Sequence, residues 1–126
     1  MYGEFFILSN NPAIIANYNK VEVVNGDLLA VLNTARDYIH LGHKLLTHPL
    51  VGSVKPNETP YKSVIVCKEI TGLDHESLSV IEGSLRVAKK MLEERPLPEW
   101  NERIKQDFQV IDQSLLDSAL KSLSVY

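Results

Sequence analysis

Short apolar runs alternate along the chain with longer stretches in which apolar residues recur every three or four positions. The run Glu4-Phe5-Phe6-Ile7-Leu8-Ser9 is rich in aromatic and branched residues, the composition of a buried strand. Val21-Glu22-Val23-Val24, Lys44-Leu45-Leu46-Thr47 and the stretch from Ser63 to Ile70 are three further strand candidates. Asn10-Asn11-Pro12 joins N-cap residues to a proline suited to a first helical turn, which predicts a short helix from Ala13 to Tyr18. Behind the cap Asp27, the residues Leu28, Leu32, Ala35 and Ile39 share one helical face, and Gly42 stands where that helix should end. After Asp74, a second stripe carries Leu78, Ile81, Leu85, Ala88 and Leu92. Pro96-Leu97-Pro98 then turns the chain. A last helix, from about Pro98 to Leu123, is expected to face the core with Trp100, Ile104, Phe108, Ile111, Leu115 and Ala119.

The order β-α-β-α-β-loop-β-α-α predicts one α/β domain over residues 1–126. The expected form is three-layer, with a mainly parallel sheet of about four strands flanked by helices and two helices at the C-terminus. Ligands of such sheets bind beyond the carboxyl ends of the strands. Ser9-Asn10-Asn11-Pro12 and Thr47-His48-Pro49 both follow proposed strands and are expected to meet at that edge. Val80, Val87 and Met91 form a second apolar face on the third helix, which suits a homodimer.

A chain of 126 residues with 44% hydrophobic content buries enough surface to fold without disulfide or metal. The net charge of −3, with no long run of one sign, argues against a nucleic-acid partner. No run approaches the roughly 20 apolar residues that span a bilayer, and no signal peptide opens the chain, so a cytoplasmic protein without a membrane partner is expected. The single cysteine, Cys67, lies in an apolar run and reads as a buried structural thiol. His40, His43 and His48 are closely spaced, yet Gly42 interrupts them and no carboxylate or cysteine completes a set, so no metal is expected.

Three prolines, Pro49, Pro56 and Pro60, keep the stretch Thr47 to Lys62 from forming a regular helix or central strand. Such a long connection in a compact domain is commonly functional, and Leu50, Val51, Val54 and Tyr61 are available to anchor it. Its Thr47, His48, Ser53, Lys55, Asn57, Thr59, Tyr61 and Lys62, with Asn10 and Asn11 at the neighbouring strand end, supply ammonium, hydroxyl and amide donors suited to a carboxylate or phosphate. Gly52 allows close backbone approach. No phosphate-loop or dinucleotide fingerprint is present, and no cofactor is expected. His48 and Glu58 are candidates for an acid/base pair, and with Lys55 they would make a small-molecule enzyme.

The run Gly42-His43-Lys44-Leu45-Leu46-Thr47-His48-Pro49-Leu50, continued by Gly52 to Ser63, resembles the signature stretch of the GrdX family, as does the opening Ser9-Asn10-Asn11-Pro12. These small proteins are encoded with the selenoprotein glycine, sarcosine and betaine reductases of amino-acid-fermenting anaerobic bacteria. The resemblance implies a cytoplasmic accessory role, with reductase components or a small anionic ligand as partners. It carries over no catalytic residue. The chain holds no Cys-x-x-Cys pair with which to act as a redox carrier.

Overall fold

The computed structural model describes residues 4–50 and 55–124, so Val51, Gly52, Ser53 and Val54 lie outside the described residues. The elements are β1 (Phe5–Ser9), α1 (Pro12–Asn17), β2 (Val21–Val23), α2 (Leu28–Leu41), β3 (His43–Leu45), β4 (Ser63–Ile70), α3 (His75–Glu94) and α4 (Glu102–Ser124). The caps behave as their chemistry predicts. Asn11 accepts from the Ala13 N–H at 3.0 Å, Asp27 from Ala30 at 2.9 Å and Asp74 from Ser77 at 3.0 Å. Gly42 closes α2 in the left-handed region at φ +106°, where an added Cβ would stand 2.8 Å from Ile70 Cγ2.

The four strands form one sheet in the order β2-β1-β4-β3. Only β1 and β2 pair in parallel, whereas β4 runs antiparallel to both β1 and β3. The expectation of a mainly parallel sheet is therefore corrected. The physical reason lies in the connection after β3. A parallel return needs a crossover that carries the chain back across the sheet. The described part of the segment from Leu46 to Lys62 holds no helix, so the chain leaves β3 and enters β4 at one and the same edge.

Alternate residues of β1 and β4 feed two apolar clusters. Leu8, Val64 and Val66 pack with Val31, Leu32, Ala35 and Ile39 of α2 and Ile81, Leu85 and Ala88 of α3. Their neighbours Ile7 and Ile65, paired in register, pack with Ile14 of α1 and Leu116 of α4. The stripes expected for α2 and α3 thus face the core. On α4 the register differs in part: Ala119 packs on the second cluster as expected, but Ile104 and Ile111 are 39% and 40% exposed, while Asp112 and Leu116 are 5% and 3% exposed. The docked face is turned by about one residue, roughly 100°. Asp112 belongs to it, for a reason given by the residues it meets.

Candidate functional site

Because β1, β2 and β3 share a direction and β4 opposes them, the ends of the first three strands and the start of β4 lie along one sheet edge. Ser9 ends β1 and Ser63 begins β4, paired in register with their hydroxyls 2.7 Å apart. Asp112 reaches this pair from α4. Its Oδ2 accepts from the Ser63 hydroxyl at 2.7 Å and from Asn11 Nδ2 at 2.9 Å, and its Oδ1 accepts from the Ser63 N–H at 3.1 Å. Three donors thus satisfy a carboxylate that is nearly withdrawn from water, the condition under which burial of such a group is tolerated. This network, rather than the most apolar stripe, fixes the face that α4 presents.

The two asparagines of the opening motif are both tied down. Asn11 is fully buried and also donates to the Gln109 carbonyl at 3.0 Å. Asn10 donates to the carbonyls of Gly26 and Pro60 at 3.0 and 2.9 Å and accepts from the Lys62 N–H at 2.9 Å. It therefore joins three segments of chain at the edge. Thr59 accepts from the Tyr61 N–H at 3.2 Å, and the Tyr61 hydroxyl accepts from Gln109 Nε2 at 3.2 Å, which leaves the phenol proton available to donate.

Lys62 occupies the centre of this arrangement. It is 7% exposed, and its ammonium has no hydrogen-bond partner and no carboxylate within ion-pair distance among the described residues. It lines a crevice of about 10 Å³ with Thr59, Tyr61, Ile111, Asp112 and Leu115. That volume suits a single oxygen-sized group. Burial pulls the Lys62 ammonium below its ordinary value of 10.5, and the nearby charge of Asp112 works in the opposite direction.

The other candidates are dispersed. Thr47 accepts from the Ile65 N–H at 3.0 Å, in place of a strand partner. His48 is exposed, and its Nδ1 accepts from the Leu50 N–H at 3.1 Å. It lines a cleft of about 350 Å³ with Lys44, Thr47, Asp74, Glu76 and Ser77. There, hydrogen bonds from the Ser77 hydroxyl and backbone N–H hold the Asp74 carboxyl below its ordinary value. Glu58 lines a different cleft, beside Asn57, Arg95 and Trp100, and its carboxylate accepts from the Lys55 N–H at 3.1 Å. His48 and Glu58 share no cleft, and Lys55 is exposed. Asn57 is buried and donates to the Met91 and Arg95 carbonyls at 3.3 and 3.4 Å, fastening the loop to the end of α3. Ser53 lies outside the described residues.

Sequence reasoning placed Ser9 at this edge but missed Asp112, Ser63 and Gln109. The signal for Asp112 was present: Asp112, Leu116, Ala119, Leu120 and Leu123 recur at helical spacing, with the acid one turn ahead of the apolar run. Among the described residues no group of three or more His, Cys, Asp or Glu gathers as metal ligands, and no helix is long and apolar enough to cross a membrane.

Fold and site together define a small mixed α/β protein with a buried polar network at one sheet edge. The family model for GrdX-like proteins matches residues 6–121. The chain belongs to the GrdX-like protein family. No curated protein and no solved structure matches it.

Proposed function

We propose that this chain is an accessory protein of the glycine, sarcosine and betaine reductase systems. In this reading it holds one oxygen of a small carboxylate or phosphate at the sheet edge, through Lys62 and the adjoining 47–62 segment. Membership of the GrdX-like family supports the setting. The observation that carries the ligand class is Lys62, a residue only 7% exposed whose ammonium has no partner among the described residues. Partial desolvation disfavours the charged form of Lys62, and a bound anion would offset that loss. Tyr61 adds a phenol proton beside it. Asp112 lines the same crevice, but three donors already share its charge.

The test is a thermal-shift titration with inorganic phosphate and with acetate, run on the wild-type chain and on Lys62→Met. Saturable stabilisation of the wild type by either anion, absent from the variant, supports the reading. Equal responses in both proteins, or none in either, overturn it. Co-purification of reductase subunits with the tagged chain tests the setting separately.

A further inference from the structure

At the opposite edge of the sheet a cleft of about 440 Å³ opens between the start of β1, the start of β2 and α2. Three rings form its aromatic wall. Phe6 meets Tyr38 at 5.0 Å and His43 at 5.6 Å between ring centroids, and Tyr38 meets His43 at 5.2 Å, all edge to face. The lining carries two glutamates and two lysines, so its formal charge sums to zero. Glu4 pairs with Lys68 at 3.3 Å, Glu22 accepts from the Tyr38 hydroxyl, and Lys20 rests over the Phe5 ring at 5.7 Å. Each carboxylate in the lining has a partner, and with no net charge the cleft favours an ion of neither sign.

His43 supplies the exception to this closed accounting. It is 8% exposed, and its Nδ1 lies 2.8 Å from the Cys67 carbonyl oxygen. A carbonyl only accepts, so the proton of the neutral ring sits on Nδ1 and Nε2 keeps its lone pair. Nε2 has no partner among the described residues, and His43 lines the cleft. An acceptor in an aromatic, charge-balanced cleft of this size calls for a neutral ring that carries a donor.

We propose that this cleft binds a small uncharged molecule with an aromatic or alicyclic ring and a hydroxyl group, the hydroxyl donating to His43 Nε2 and the ring packing on Phe6 and Tyr38. The site is separate from the Lys62 edge, and neither depends on the other.

Nuclear magnetic resonance titration of the full chain with phenol, and with toluene as the same-sized ring lacking a donor, tests the assignment. Phenol is expected to shift the signals of His43, Phe6 and Tyr38 saturably and to bind about two- to tenfold more tightly than toluene, the worth of one hydrogen bond. In His43→Phe, which keeps a ring in place but removes the acceptor, phenol should fall to the level of toluene. Equal binding of the two in the wild type, shifts located elsewhere, or an undiminished preference for phenol in a folded His43→Phe would each overturn the proposal. Should that variant not fold, the wild-type comparison of phenol with toluene decides alone.

Discussion

Replacing Asp112 with alanine removes the acceptor that three donors share at the sheet edge. Two of those donors keep a second partner: Asn11 Nδ2 still reaches the Gln109 carbonyl, and the Ser63 hydroxyl still reaches Ser9. The Ser63 N–H loses its side-chain acceptor. A buried donor left in that state costs about 1 to 3 kcal/mol, and the lost charge-assisted bonds add to it, while relief of carboxylate burial offsets part. The expected destabilisation is about 2 to 3 kcal/mol. Ile111→Ala, one position away on a side chain 40% exposed, is expected to cost about 1 kcal/mol or less. Urea denaturation followed by circular dichroism measures both. The two values also separate the two registers of α4. If Asp112→Ala costs less than Ile111→Ala, the polar network does not hold the helix and the reasoning fails.

Lys62→Met should stabilise the chain by about 0.5 to 2 kcal/mol at neutral pH while abolishing the anion response, the usual opposition of stability and function. Because the folded-state value of Lys62 is lowered, its ammonium opposes folding below that value, and the burden lifts as pH rises towards 10.5, so the advantage of the methionine should shrink over that window in denaturation series. Tyr38 is pushed up to about 12, first by its hydrogen bond to Glu22 and then by burial. Its contribution is therefore fully present below pH 10 and is lost as pH rises through about 12; comparison with Tyr38→Phe by ultraviolet phenolate titration should show one phenol missing from the late phase, and loss of a phenol ionising near 10 would contradict this. Gly42→Ala forces a side chain into left-handed backbone against Ile70 and should cost about 1 to 3 kcal/mol in the same urea assay, with an unchanged midpoint counting against the strain.

The elements were legible because their signals are local. Asn11, Asp27 and Asp74 cap helices on the strength of their own side chains, and Gly42 ends α2 because only glycine takes that conformation at low cost. Strand direction was not local. The pattern of Ser63–Ile70 is the same whether β4 runs with its neighbours or against them, and only the route of the preceding segment decides. The site shows the same division. Asn10, Asn11, Tyr61 and Lys62 were visible as polar groups near strand ends, and the structure gathers them at one edge. Asp112 was hidden because hydropathy scores Ile111 above it, although Asn11 and Ser63, distant in sequence, supply the donors that reverse that ranking. Thr47, Asn57 and Thr59 carry donors and acceptors that suit a ligand as well as they suit a loop, and here the loop uses them.

The proposal that the Lys62 ammonium takes an anion is tested most directly at its own nitrogen. Carbon-13 labelling of the lysine side chains and a pH titration, with and without inorganic phosphate, reports each ammonium separately. One lysine, lost from the spectrum in Lys62→Met, should titrate below the ordinary 10.5 and move upward when phosphate is present. A Lys62 signal that titrates with the exposed lysines, or one that phosphate leaves unmoved, would contradict the account.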